Sequence, residues 1–286
     1  MGRPMALNLL KAGFSVKVWN RSPGKAEELV AAGGVLAESP ADAARESDIV
    51  ITIVTDSPDV EEVILGENGV LHGAQPGTIV IDMSTISPEV TRGIAARLEA
   101  AGISMLDAPV SGGDKGAIAG TLSIMVGGDE QVLARATPVL EAMGKTITHV
   151  GPIGAGQTVK LCNQITGALN ILAISEALVF AARSGVDLRK MLRAVGGGAA
   201  SSWMVQNLAP RMVAGDFDPG FMVKLQQKDL RLALDAAREM NLPLPATALV
   251  HQLFTAVEAE GRGDDGTQAL VTAIERLAGV EARSEE

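Results

Sequence analysis

The sequence predicts an α/β domain on a doubly wound, mostly parallel sheet (residues 1–152), followed by an all-helical domain (residues 153–286). Three observations predict it. Short β-branched runs alternate with amphipathic segments as far as residue 152; beyond it the strand-like runs cease; and the runs themselves are almost unbroken apolar stretches. Near-continuous apolar strands separated by helices are what a parallel sheet covered on both faces requires.

Each element has its own signal. Residues 2–12 carry apolar positions at Met5, Leu9 and Leu10 and end at Gly13, which reads as a helix. Strands are read over 15–19, 48–54, 77–84, 104–110, 121–127 and 145–150, where Val, Ile and Thr concentrate. Helices fill the gaps at 24–31, 57–64, 88–101 and 128–143. In "SPDVEEV" and "SPEVTRG" a serine precedes Pro and an acidic residue, which is helix-start chemistry. Past residue 152, helices are read over 154–184, 187–195, 200–212, 222–240, 245–260 and 267–278, each broken at Gly, Pro or Asp. No internal repeat is present.

Bulk composition narrows the classes of function. The chain has 286 residues, 47% apolar and 20% charged, enough to bury a substantial core. Five Phe, two Trp and no Tyr leave that core to aliphatic residues and glycine. A net charge of −10, without a basic cluster, argues against nucleic acid as a partner. Cys162 is the only cysteine, so no internal disulfide forms, and a reducing, cytoplasmic setting is expected. No signal peptide is read, no apolar run is expected to reach a membrane span, and no membrane partner is expected.

The opening "MGRPMALNLLKAG" leads into a strand that ends before Asn20-Arg21-Ser22. A helix starting at glycine and a strand with a polar turn at its end continue the first unit of a Rossmann-type dinucleotide-binding fold. That unit begins with a strand and a G-x-G-x-x-G turn, of which only the last glycine, Gly2, could be present. Such folds place an acidic residue on the ribose about 20 residues after the turn, or Arg where a 2′-phosphate must fit. Here Arg21 stands in its place, so NADP(H) is expected over NAD(H), with NAD(H) still usable. The bland alternative is a solvated surface turn.

Two further stretches carry chemistry. "DAPVSGG" ends a strand in Ser111, Gly112 and Gly113, a hydroxyl and two unencumbered N–H groups suited to a small carboxylate. Taken alone, a chain-reversing glycine turn explains it as well. In "GPIGAGQTVKLCNQITGALN", Lys160, Asn163, Gln164, Gly167 and Asn170 fall on one helix face. A buried polar stripe must be satisfied, and a ligand is a natural candidate. A desolvated lysine there would serve as proton donor to a carbonyl. Cys162 points away from that face and is expected to be a small core residue. His72, His149 and His251 lack metal-ligand spacing, so no metal is expected, and neither a G-x-S-x-G elbow nor a P-loop occurs.

"MGRPMALNL", "WNRSP", "DAPVSGG", "GAIAGTLSIMVGG", "GAGQTVKLCNQ" and "QQKDLRLAL" occur in that order and cover essentially the whole chain. Together they resemble the β-hydroxyacid dehydrogenase family, related to 3-hydroxyisobutyrate dehydrogenase, and within it the reductases of 2-hydroxy-3-oxopropionate (tartronate semialdehyde). "DDGTQALV" at 264–271 resembles the reductase branch more weakly. The resemblance implies Lys160 as catalytic acid/base and Ser111, Gly112, Gly113, Asn163, Gln164 and Thr85 around the substrate. It implies Gly2, Asn20, Arg21, Ser22, Val54, Thr55, Thr85 and Lys228 near the cofactor. NADPH-dependent reduction of a small semialdehyde acid to a hydroxy acid follows, in a cleft between domains, by a homodimer or homotetramer assembled through the helical domain. Members acting on imines differ at the position of Lys160, so that activity is discounted. Neighbouring short-chain hydroxy acids are the alternative substrates.

The departure from the family is at the front, where a strand and a G-x-G turn of about a dozen residues are expected before Met1. A misassigned or clipped start is the expectation. An inactive cofactor-binding remnant is the corresponding non-enzymatic reading.

Overall fold

The computed structural model describes residues 1–22 and 24–284; Pro23 of the "WNRSP" turn lies outside them. By contacts the chain divides into two compact units, Met1–Lys160 and Leu161–Glu286, with the division inside one long helix.

The first unit alternates strand and helix. Its elements are α1 (Gly2–Lys11), β1 (Lys17–Val18), α2 (Glu27–Ala31), β2 (Val35–Leu36), α3 (Pro40–Ala44), β3 (Ile49–Thr52), α4 (Ser57–Leu65) and β4 (Ile79–Asp82). They continue with α5 (Pro88–Glu99), β5 (Ser104–Asp107), β6 (Val110–Ser111), α6 (Gly113–Ala119), β7 (Leu122–Gly127), α7 (Glu130–Glu141) and β8 (Gly144–Gly151), before α8 (Ala155–Arg183) begins. Strands β3, β4 and β5 pair in parallel, β7 meets β5 and β6 antiparallel, and β8 runs parallel to β7. Strands β1 and β2 form a separate parallel pair. The sheet is mixed and mostly parallel, because β7, entered through α6, runs antiparallel to β5 and β6.

Both faces of the sheet are covered, as the unbroken apolar strands require. Along β4, Ile79 and Ile81 join a core with Met5, Leu106 and Leu122, while Val80 packs on the other side with Ile64, Ile94 and Leu98. Alternate residues of one strand thus feed two cores, so neither face tolerates a polar residue in mid-strand.

Helix starts follow local chemistry, with one correction. Ser87 caps α5, its hydroxyl accepting the Glu89 and Val90 N–H groups at 3.2 and 3.4 Å. In α4 the cap is Asp56, one residue ahead of the serine in "SPDVEEV". Ser57 instead accepts the Ser87 N–H at 3.1 Å, linking the starts of α4 and α5. The expected strand over 104–110 is broken at Ala108-Pro109 into β5 and β6, since proline cannot donate to a ladder.

The second unit is helical: the remainder of α8, then α9 (Leu188–Gly196), α10 (Trp203–Asn207), α11 (Ala209–Ala214), α12 (Val223–Glu239), α13 (Pro245–Ala259) and α14 (Leu270–Ala278). The single helix expected over 200–212 is two, meeting at Leu208 ahead of Pro210. The core gathers Ala168, Ile171, Ile174 and Leu178 of α8 around Phe254, Val257 and Leu270.

α8 corrects one further expectation. Over its most apolar stretch its mean hydropathy is 1.8, long and apolar enough by composition to cross a membrane. Lys160, Asn163 and Gln164 interrupt its front end, which hid this in a residue-by-residue reading. Ile171, Ile174 and Leu178 lie in a protein core, which accounts for the hydropathy.

Candidate active site

The carboxyl ends of the parallel strands hold most of the predicted cofactor residues. Asn20, Arg21 and Ser22 follow β1 and are exposed, Asn20 donating to the Ser22 carbonyl at 2.9 Å. The Arg21 guanidinium lies 3.0 Å from Asp59 on α4, with 80% of its side chain exposed. Val54 and Thr55 follow β3; the Val54 N–H donates to Ser84 Oγ at 2.9 Å, tying the end of β3 to the end of β4. Thr85, half-buried, comes next. At the start of α1, a Cβ on Gly2 would stand 2.9 Å from Ile53 Cγ2. The start of α1 thus packs tightly on Ile53, just past β3, as the last glycine of a dinucleotide turn would require. A helix N-terminus on the sheet, polar turns after β1, β3 and β4, and an exposed arginine suit a nicotinamide dinucleotide.

Ser111 ends β6 opposite Ser123 of β7 and is half-buried. Gly112 and Gly113 have φ of 134° and 63°, values an L-residue adopts only under strain, so the turn depends on glycine. This places a hydroxyl and two backbone N–H groups together at a strand end.

A second constellation gathers residues given no role in the sequence reading. Asp82 and Asp107 are register partners at the ends of β4 and β5, and both are fully buried. Asp107 accepts the Gly154 N–H and the Gln157 N–H, each at 2.7 Å. Asp82 accepts from Thr52 Oγ1 at 2.8 Å and from the Ser84 N–H at 3.2 Å. Gln157 donates to the Ser84 carbonyl at 2.8 Å and accepts the Ile86 N–H at 3.1 Å. The available sequence signal was an aspartate closing an apolar strand, a place where burial demands partners.

Burial pushes the Asp107 carboxyl up from 3.8 to about 6, and the Asp82 charge adds to the rise, against the two N–H donors that favour the anion. The folded chain therefore holds this proton more tightly than the unfolded chain. That stabilisation is fully present below pH 3.8 and is lost as pH rises through about 6. It corresponds to about 3 kcal/mol. Urea unfolding of wild type and Asp107→Asn across this range is expected to show their stability difference shifting by up to about that amount, to the disadvantage of wild type at higher pH. A difference independent of pH would contradict the assignment.

Lys160 closes the first unit on the buried side of α8, with 7% of its surface exposed. In the second unit, Asn163 donates to Gln164 Oε1 at 2.9 Å, and the Gln164 amide donates to Asp229 on α12. The Lys228 ammonium lies 2.9 Å from the other oxygen of Asp229. Both ends of the Gln164 amide thus have protein partners, where the polar stripe alone had pointed to a ligand. Gly167 and Asn170 are half-buried. Cys162 is exposed, correcting the core role expected for it: the face of α8 opposite Lys160 meets solvent there. His149 Nε2 is satisfied by the Gly128 carbonyl at 2.8 Å. No group of three or more His, Cys, Asp or Glu suited to a metal occurs among the described residues.

Known proteins resemble the chain along nearly its whole length. Residues 1–151 match the family model for the NAD-binding domain of 6-phosphogluconate dehydrogenase, and residues 154–274 the model for the NAD-binding of NADP-dependent 3-hydroxyisobutyrate dehydrogenase. The chain is 46% identical over 278 residues to 2-hydroxy-3-oxopropionate reductase of Escherichia coli K12, covering 97% of this chain and 95% of that one. It is 40% identical to 2-(hydroxymethyl)glutarate dehydrogenase of Eubacterium barkeri, covering 98% and 93%. Among solved structures, Mycobacterium tuberculosis 3-hydroxyisobutyrate dehydrogenase with L-serine superposes at a TM-score of 0.89 with 37% identity, covering 96% and 95%. Such similarity along nearly the whole chain places it in the β-hydroxyacid dehydrogenase family, related to 3-hydroxyisobutyrate dehydrogenase, as an NAD(P)-dependent oxidoreductase acting on a CH–OH group.

Proposed function

We propose that the protein reduces a small semialdehyde acid to the hydroxy acid with NADPH, 2-hydroxy-3-oxopropionate to glycerate being the reading best supported. The observation that carries it is a buried lysine, Lys160, on a helix whose first turn is hydrogen-bonded to the end of β5. The 46% identity to the Escherichia coli reductase supports the choice of acid. The likeness to the Mycobacterium tuberculosis enzyme favours 3-hydroxyisobutyrate-type acids as the second reading.

In this reading the substrate carboxylate accepts hydrogen bonds from the Ser111 hydroxyl and from the Gly112 and Gly113 N–H groups. Bound nicotinamide supplies the hydride that adds to the aldehyde carbon. Lys160 gives its proton to the forming alkoxide oxygen and regains one from solvent, so that aldehyde, hydride and proton sum to the alcohol. Asn163 and Gln164 are assigned to the substrate, with Thr85 shared between substrate and cofactor. Gly2, Asn20, Arg21, Ser22, Val54, Thr55 and Lys228 are assigned to the cofactor. Steady-state rates against a panel of three- and four-carbon semialdehyde acids test the substrate; no turnover of any of them would refute it.

Arg21 is assigned to the 2′-phosphate. Its present ion pair with Asp59 is exposed, and such pairs contribute only about 0–1 kcal/mol, so the guanidinium exchanges it readily. A charge-assisted bond contributes about 1.5–3 kcal/mol. Arg21→Ala is thus expected to lower kcat/KM for NADPH about tenfold or more, with little change for NADH. Equal efficiencies of wild type with the two cofactors would remove the assignment.

A further inference from the structure

Asp107 accounts for more structure than a helix start needs. Its two carboxylate oxygens each accept a separate backbone N–H, from Gly154 and Gln157, on either side of the first residue of α8. The same Gln157 reaches with its side chain to the Ser84 carbonyl and the Ile86 N–H, the residues flanking Thr85. Lys160 follows Gln157 by three residues, so both lie on one helix face less than a turn apart. Gly156 makes the approach possible: a Cβ there would stand 2.5 Å from the Asp107 and Met125 carbonyl oxygens. The first turn of α8 therefore rests directly on the backbone of β5 and β7, and its height is set by the Asp107 carboxylate.

We propose that Asp107 is a positioning residue for the reaction: by fixing the first turn of α8 it fixes the Lys160 ammonium. This rests on Lys160 being the proton donor. The geometry leaves little tolerance. In Asp107→Asn, either orientation of the new amide sets an NH₂ group against the Gly154 or the Gln157 N–H, donor against donor. The helix start must then shift, and a displacement of about 1 Å at a proton donor costs up to about 10²-fold in rate.

The decisive experiment is a double-mutant cycle in the full chain, with NADPH and the semialdehyde acid that wild type reduces fastest. Asp107→Asn is expected to lower kcat about tenfold while leaving the Kd for NADPH within about twofold. In the Lys160→Ala background the same substitution is expected to change the residual rate by less than about twofold, because no positioned proton donor remains. An unchanged kcat in the single variant, or an equal loss in both backgrounds, overturns the proposal and leaves Asp107 a structural residue. Near-normal turnover of Lys160→Ala alone overturns the reading of Lys160 itself, and the positioning role with it. Should Asp107→Asn not fold, Asp107→Glu, which keeps the carboxylate but displaces it from the Gly154 and Gln157 N–H groups, is expected to show the same dependence on Lys160, and an equal loss in both backgrounds overturns the proposal.

Discussion

Replacing Lys160 by methionine or alanine is expected to lower turnover by ~10²-fold or more, the usual loss when a general acid is removed, with the fold retained. The side chain is buried at the front of α8, where holding a cation out of water is costly. Methionine keeps the apolar stem and loses only the ammonium, so its effect reports the proton and not the packing. The Kd for NADPH is expected to stay near that of wild type, since the assigned cofactor contacts are elsewhere. Single-turnover rates at saturating NADPH, alongside thermal unfolding, separate the possibilities. A methionine variant that turns over at near the wild-type rate would mean that the alkoxide takes its proton from another source.

The elements legible in the sequence were those that local composition dictates. Strands β3 and β4 stood out because Ile, Val and Thr run together where both faces are buried. The β2 pair Val35–Leu36 passed unread: it is only two residues long, both are exposed, and it follows Gly33-Gly34. α3 was also missed, although Ser39 ahead of Pro40 repeats the pattern read correctly at Ser87, with Ser39 Oγ accepting the Asp42 N–H at 3.0 Å. At five residues it offered too short an apolar period to register. The site divided in the same way. Motifs contiguous in sequence, such as Ser111-Gly112-Gly113 and the Lys160 stripe, announced themselves. The Asp107 network did not, because its partners Gly154 and Gln157 lie 47 and 50 residues away and only folding brings them together. Asp229 was hidden for the same reason, 65 residues from the Gln164 amide that it accepts.

Glycine substitutions are expected to divide sharply by what a methyl group would meet. Gly93→Ala, on the exposed side of α5, meets nothing within 4 Å and replaces a residue poorly suited to a helix interior. It is expected to stabilise the chain by roughly 0.5–1 kcal/mol. Gly156→Ala adds the same methyl to the first turn of α8, where the helix preference has the same sign, so any difference in outcome comes from space alone. There the new Cβ would stand 2.5 Å from two backbone carbonyl oxygens and 2.9 Å from Asp107 Oδ2. Two of these are backbone atoms, and the third belongs to a carboxylate already held by two N–H groups at 2.7 Å. Relief must come from lifting the helix start off β5 and β7, which stretches both bonds to Asp107. Overpacking of this kind costs typically about 1–3 kcal/mol, and backbone on both sides of the contact puts this case at or above the upper end. Lifting the helix also moves Lys160, so turnover is expected to fall in the molecules that remain folded. Urea unfolding of the two variants checks the first part and kcat per folded molecule the second; a Gly156→Ala protein as stable and as active as wild type would show that α8 does not rest on the sheet as described.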